Sequence, residues 1–505
     1  MKLRRIARLS ILFFGLTGVA VASPGSALAD AAETGEGALI RALLLVGADV
    51  TAPQVDGMTA LHWAVYRDDT DTAGLLVRSG ANVNTANRYG VPPLSLACTN
   101  GNAAIVKLLL DAGANANAAL RGGETVLMTA ARTGNLEAVE ALLAKGANPS
   151  ARERHEQTAI MWAAAEGHAP VVQTLIDAGA DYHATLESGF TPMFFAVREG
   201  HIDVVHTFLK AGVEVEETLH HEGSEGYKLA KNGTSPLLLA IENGHFELAI
   251  ALVEAGADPN DQRTGFTPLH TMTWVRKPDV SDLGDPAPRG SGNLTSLQFV
   301  RALVALGAEV NLRLEKGESR PPKVNVEGAT PFLLAADRAD AALMRLLLEL
   351  GADPFMPNVE NTTPLMAAAG LGTTAPIEEA GTEPEAMEAV QLLLELGADI
   401  DAVDDNAETV MHGAAYGSFP AIVQLLADKQ ADPGIWKEKN NLGLTPLFIA
   451  EGYRPGNFKP GPATIEALQR VMHAAGLSTD GPRPRHIDHY EKLRLADEKK
   501  AAQKQ

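Results

Sequence analysis

Cysteine is almost absent. Cys98 is the single thiol among 505 residues, so no internal disulfide can form, and a lone thiol in such a chain reads as a small buried hydrophobe. Aromatic residues make up only 5%. That suits small helices packed closely through short side chains and argues against a β-sandwich. An excess of positive charge is also missing. The formal net charge is −21, which suits neither nucleic acid nor an anionic membrane surface. Beyond the N-terminus no apolar run is long enough to span a bilayer, which takes about 20 residues. Metalloprotease H-E-x-x-H, nucleophile-elbow, phosphate-loop and calcium-loop motifs are all lacking. The expectation is a chain that is not an enzyme and that carries no cofactor and no metal. At this length a single compact core is not expected, so the chain must form several domains or a repeat array.

The N-terminus has the layout of a signal peptide. Lys2, Arg4, Arg5 and Arg8 come first, and an apolar run follows from Leu9 to Ala22. Ala27-Leu28-Ala29 then precedes Asp30, the small-x-small pattern of a cleavage site. Residues 1–29 are thus expected to be removed after Ala29. Those 29 residues hold four cations and no acid, so removal takes the net charge from −21 to −25. The residues flanking Arg4-Arg5 fit a twin-arginine signal poorly, and the lack of a nearby cysteine excludes a lipoprotein anchor. The expected location is the periplasm or the exterior, with no transmembrane segment left after signal removal.

Internal periodicity sets the architecture. Glycines in the phrase G-A-[DN] or its variants fall at Gly47, Gly80, Gly113, Gly146, Gly179 and Gly212, each 33 residues from the last. The series continues unevenly at Gly256, Gly307, Gly351 and Gly397, with Gln430 in the place of glycine and Gly476 at the end. A second phrase recurs between them: Thr59-Ala60-Leu61-His62, Thr191-Pro192-Met193, Ser235-Pro236-Leu237, Thr267-Pro268-Leu269-His270, Thr330-Pro331-Phe332, Thr363-Pro364-Leu365 and Thr445-Pro446-Leu447. Threonine caps a helix through its hydroxyl, and proline is preset for the first helical turn. Glycine after the second helix supplies a left-handed residue. In the second helices the apolar spacing is helical, with Ile105, Leu108 and Leu109 on one face. No such unit buries its apolar faces alone; stacking buries them.

The paired phrases resemble the ankyrin repeat, a 33-residue unit carrying T-P-L-H-x-A, over nearly all of residues 34–478. The resemblance implies an all-α solenoid of about twelve helix-turn-helix units joined by short β-hairpin loops. It also implies protein partners on the concave face of helices and hairpins. With the signal peptide, the chain is similar to exported bacterial ankyrin-repeat proteins, which act as scaffolds or as partners of other exported proteins. Residues 30–478 form the expected repeat domain and 479–505 a charged tail. Insertions interrupt the period near 220–231 and 312–326 at hairpin tips, and near 276–296, 370–385 and 452–462 between the helices of a unit. Inter-helix loops are expected on the edge opposite the hairpins, which makes a pocket shared between the two kinds awkward.

Most residues that invite chemistry have structural readings. His62, His270 and His412 stand fourth in the Thr phrase, where histidine buttresses neighbouring hairpins. His168, His201 and His245 precede second helices. His220-His221 in one insertion, and His486 and His489 in the tail, are weak metal signals. The acid pairs Asp404-Asp405 and Glu378-Glu379 read as solvated loop charge. Trp63 and Trp162 are expected in the core, while Trp274 and Trp436 are open to either placement.

One pattern exceeds what stacking needs. Arg88, Arg121, Arg154, Lys231 and Arg263 stand two residues before a hairpin-tip glycine or its equivalent, with Glu187 interrupting. Arg132 and Arg198 add cations from first helices, and Tyr66, Tyr89, Phe190 and Phe266 lie among them. Arginine and aromatics dominate interface energetics, so these eleven residues are the candidate protein-binding strip. The leading expectation is a protein-interaction scaffold. The alternatives are a secreted effector or inhibitor of a foreign protein, or an enzyme built from the inserted loops.

Overall fold

The computed structural model describes residues 26–220, 231–279, 287–317, 323–376, 378–454 and 459–484. Most of the expected signal segment, His221, His486, His489 and most of the charged tail lie outside the described residues. Among the described residues there are 24 α-helices in twelve consecutive pairs and no strand. The chain divides into two compact units, Met1–Tyr182 and His183–Gln505.

The first unit holds five pairs: α1 (Ala27–Thr34) with α2 (Gly37–Leu45), α3 (Ala60–Tyr66) with α4 (Thr70–Arg78), α5 (Pro93–Asn100) with α6 (Ala103–Asp111), α7 (Val126–Thr133) with α8 (Leu136–Ala144), and α9 (Ala159–Ala165) with α10 (Ala169–Asp177). The second holds seven. These are α11 (Pro192–Glu199) with α12 (Ile202–Lys210), α13 (Pro236–Glu242) with α14 (Phe246–Glu254), α15 (Pro268–Arg276) with α16 (Ser296–Ala305), and α17 (Pro331–Asp337) with α18 (Ala341–Glu349). The last three are α19 (Pro364–Ala368) with α20 (Glu383–Glu395), α21 (Val410–Gly417) with α22 (Pro420–Asp428), and α23 (Pro446–Ala450) with α24 (Pro462–Ala474). Within each unit first helices pack on first helices and second helices on second helices, giving two layers. The cleavage expected after Ala29 falls in the first turn of α1, where Leu28 and Ala29 are buried.

Local chemistry explains each pair. Thr59, Thr267, Thr330, Thr363, Thr409 and Thr445 each cap a first helix by accepting from the backbone N–H three residues on. Second helices bury a stripe. In α6 that stripe is Ile105, Val106, Leu109 and Leu110, so the expected face is rotated and Leu108 is half-exposed. Cys98 is buried in α5, and burial pushes its thiol up to about 12. Trp436 is buried in a 3-10 turn at Pro433–Lys437, whereas Trp63, Trp162 and Trp274 are each half-exposed rather than core.

The units are held in register by polar groups that reach into the next unit. His62 Nε2 bonds Val91 O at 3.1 Å while its Nδ1 meets Thr59 Oγ1 at 2.8 Å. A carbonyl only accepts, so Nε2 carries the proton and Nδ1 accepts. His270 repeats this with Ala329 O at 3.1 Å, and His412 with Leu444 O at 3.3 Å. Burial pushes both imidazoles down to about 4, so they stay neutral. His168 and His245 latch backwards onto Arg132 O and Arg198 O at 3.0 and 2.9 Å. The second polar residue of the G-A-[DN]-x-N phrase does similar work. Asn84, Asn117, Asn260 and Asn311 each donate to a glycine carbonyl of the following unit and accept from a backbone N–H just beyond it. Each such bond contributes about 1 kcal/mol net, and losing it leaves a junction carbonyl unpaired. The hairpin loops are mainly turns, with an antiparallel bridge between Ala119 and Thr125.

Gly134 and Gly146 test this register. Both have positive φ, at 73° and 83°. A Cβ on Gly146 meets nothing within 4 Å, whereas one on Gly134 falls 2.4 Å from the His168 ring. Gly146→Ala should cost roughly 1–2 kcal/mol for the left-handed backbone alone. Gly134→Ala should cost about 1–2 kcal/mol more, because His168 must leave Arg132 O. Urea unfolding of the two variants measures the difference, and equal losses would discount the latch.

Candidate protein-binding face

Once stacking is satisfied, several first helices keep a side chain at least partly exposed four or seven residues after the capping threonine or serine. The first position gives Trp63 and Trp162 in one unit, while Phe195 in the other is buried. The second gives Tyr66 and Arg132 in the first unit, and Arg198, Glu242, Trp274 and Asp337 in the second, whereas Tyr416 is fully buried. The hairpin tips flank these positions.

In the first unit the face is aromatic and cationic. Tyr66 is 59% exposed and Tyr89 66%. Trp63 meets Tyr66 edge-on at 5.6 Å and donates its indole N–H to Gln54. The Arg132 guanidinium lies 5.0 Å from the Trp162 ring centre, with Glu124 at 3.6 Å. The tip arginines are partly engaged in stacking. Arg88 Nη2 donates to Val55 O at 2.6 Å, and Arg121 Nη2 to Arg88 O at 2.9 Å. Arg154 donates its backbone N–H to Gly122 O, and its Nε to His155. A guanidinium has five N–H donors, so the Arg88 and Arg121 side chains bridge hairpins while keeping donors for a partner, and the Arg154 side chain stays within its own hairpin.

In the second unit the other candidates are pulled into contacts of their own. Arg198 lies over Phe190 and Phe195, 5.3 and 5.1 Å from their centres, and pairs with Glu199. Lys231 sits 5.3 Å over Phe266, which meets Trp274 edge-on at 4.9 Å. Arg263 is clamped between Asp261 and Glu216. The expected strip of five equivalent cations is therefore not uniform.

The insertions do not keep to separate edges. Lys277 pairs with Glu385 at 2.5 Å, Lys323 with Glu379 at 2.9 Å, and Arg338 with Asp279 at 3.1 Å. Loops beginning at 276, 312 and 370 thus meet, because long side chains from hairpin and inter-helix loops both reach the first-helix layer. Nor are the loop acids merely solvated. Asp404 is buried, accepting from Thr362 Oγ1 and the backbone N–H groups of Asn406 and Glu408. Glu379 accepts from Thr374.

Burial shifts the carboxyls of this region upward. Asp337 is pushed up to about 6 and Glu408 to about 8, while Asp404, Glu242 and Glu217 rise above their ordinary values. Glu408 Oε1 accepts from Asn440 Nδ2 and Tyr416 Oη. Its Oε2 makes no hydrogen bond among the described residues and lies 4.0 Å from Nδ1 of the neutral His412. The cavity bounded by Lys323, Glu360, Thr362, Asp404 and Glu408 is about 10 Å³, room for one water. Among the described residues no group of three or more His, Cys, Asp or Glu side chains is placed to hold a metal. His220 bonds Thr218 Oγ1.

Reading along the hairpin tips missed Trp63, Trp162, Glu242 and Asp337 as surface residues, and left Trp274 open. The signal was a constant offset from the capping residue, visible once the units are aligned on it.

Paired helices, Thr caps and junction histidines define a helical-repeat protein. Comparison with known families agrees. The family model for ankyrin repeats in three copies matches residues 28–120, 86–153, 127–218 and 380–457, and the single ankyrin repeat matches 232–263. These cover more than half of the sequence, and the chain belongs to the ankyrin-repeat family. It is 34% identical over 215 residues to human ankyrin repeat and SOCS box protein 16, covering 42% of this chain and 40% of that protein. It is 26% identical over 181 residues to dog inversin, covering 35% of this chain and 14% of that protein. The chain thus spans less than half the length of these curated relatives. Ankyrin repeats are, as a rule, protein-binding scaffolds rather than enzymes.

The buried carboxyl at Glu408 gives a signed pH dependence. Its folded pKa of about 8 exceeds the ordinary 4.5. Stability from this group is therefore complete below 4.5 and is lost as pH rises to about 8. His270 and His412 act oppositely, adding stability from about pH 4 to 6.5. Between pH 6.5 and 8.5 the carboxyl dominates. The second unit should lose on the order of 2 kcal/mol across that window, and Glu408→Gln should flatten it. Urea titrations at the two pH values measure both slopes.

Proposed function

We propose that this chain is an exported bacterial scaffold that captures other proteins of the envelope on the face of its first-helix layer. The observation that carries the binding half is the surface of the first unit. Tyr66, Tyr89 and the Arg132–Trp162 stack are held on rigid helices and hairpins, yet stacking does not consume them. Preordered aromatic and guanidinium groups lose little entropy on binding, so they add affinity cheaply. Arg88, Arg121 and Arg154 extend this surface along the hairpin tips with donors to spare. The export half is supported by the basic start, the apolar run and Ala27-Leu28-Ala29.

Two measurements test the halves separately. Fractionation of cells making the full chain, followed by N-terminal sequencing, should place it in the periplasm beginning at Asp30. Cytosolic protein retaining Met1 would refute export, and recovery only from the medium would favour a secreted effector. For binding, in-cell crosslinking and mass spectrometry should return a recurrent partner. Tyr66→Ala with Tyr89→Ala should reduce its capture about tenfold, equivalent to about 1.4 kcal/mol, without moving the unfolding midpoint. Undiminished capture would remove this face from the function.

A further inference from the structure

The second unit presents a different chemistry at the same register position. Seven residues after their capping serine or threonine, the consecutive first helices α13, α15 and α17 carry Glu242, Trp274 and Asp337. These helices pack side by side, α13 on α15 and α15 on α17. Glu242 is exposed, and Trp274 and Asp337 are partly exposed. Among the described residues neither carboxyl makes a hydrogen bond or an ion pair. The cations near Asp337 are engaged elsewhere, Lys323 by Glu379 and Arg338 by Asp279 and the Lys277 carbonyl. Lys231, the cation nearest Glu242, lies over the Phe266 ring. Phe266 in turn braces Trp274 edge-on, fixing the indole between the two acids.

We propose that this face binds an extended basic segment of a partner protein, with one arginine or lysine at Glu242, another at Asp337, and a side chain between them lying on Trp274. The inference rests on the reading of the chain as a protein-binding scaffold. It commits to a partner opposite in charge to what the cationic first unit attracts. Guanidinium groups pair with carboxylates and stack on indole rings, so arginine satisfies all three positions. The spacing follows from the fold. Adjacent helices stand 8–10 Å apart, so two steps span roughly 16–20 Å. An extended chain rises about 3.3 Å per residue, which puts the two basic residues about five or six apart.

Proton linkage supports the arrangement. Asp337 faces Arg338 and Lys323 as well as Glu379 and Asp279, and burial lifts its carboxyl to about 6. Glu242 faces Lys231 and is raised by burial too. An arriving cation favours the ionised forms, so affinity should fall as pH drops through 6.

The test uses the whole chain and fluorescein-labelled peptides in about 150 mM salt, where weak long-range attraction is screened. One Gly/Ser peptide carries two arginines six residues apart, a second carries them adjacent, and a third carries glutamates in their place. Fluorescence anisotropy at pH 7.5 should show the spaced arginine peptide binding about tenfold or more tightly than either other peptide. Glu242→Gln with Asp337→Asn should cost about tenfold or more, and Trp274→Ala several-fold. Neither carboxyl is hydrogen-bonded or ion-paired among the described residues, so the thermal midpoint should hold. Glu137→Gln with Glu140→Gln, on α8 of the first unit, makes the same change in net charge and should leave binding intact. Equal loss in that control would reduce the effect to diffuse attraction and overturn the proposal. Wild-type binding by the Glu242/Asp337 variant would overturn it too. The scaffold reading is judged separately by crosslinking: a partner still captured after peptide binding is lost leaves that reading standing and sinks only this one.

Discussion

Each helix pair buries its apolar stripe only by leaning on the next, and that arrangement creates a debt of unpaired carbonyls at every junction. The structure meets it with side chains that cross from one unit to the next. His62, His270 and His412 hold a cap on their own helix and a carbonyl on the neighbouring hairpin at once. Asn84, Asn117, Asn260 and Asn311 do the same at the end of the second helices. Because these groups are neutral and fully paired, they fix register without burying a charge.

That division of labour frees other positions. Stacking claims the buried faces, the caps and the junction residues, and leaves a few positions on the first helices together with the tips. The tip arginines show how the two demands overlap, since Arg88 and Arg121 bridge successive hairpins with one donor while presenting the rest. In the first unit the free positions hold tyrosine, tryptophan and arginine. In the second they hold glutamate, tryptophan and aspartate. One scaffold thereby offers surfaces of two chemistries without any change to the packing beneath them.

The second unit also shows what insertions do to a regular repeat. Side chains from three interruptions meet across the first-helix layer through Lys277–Glu385, Lys323–Glu379 and Arg338–Asp279. Beneath them Glu408, Asp404, Tyr416 and Asn440 form a polar core that a plain repeat does not contain. The raised carboxyls follow from that burial, because the water a charge loses there outweighs the donors it gains.

The repeat was legible in the sequence because its causes are local. Threonine caps, prolines at the first turn, glycines 33 residues apart and histidine in the fourth place each act within a few residues, so the twelve pairs could be read directly. The order of exposure along the first helices could not. Trp63 and Trp162 look like core residues by hydrophobicity, and Asp404 looks like solvated loop charge. Only tertiary placement turned two indoles outward and one carboxyl inward. The meeting of distant insertions, and the engagement of Arg263 by Asp261 and Glu216, likewise depend on which units become neighbours in space. Short-range backbone chemistry determined the fold, and the packing of one unit against another decided which side chains remained free to act.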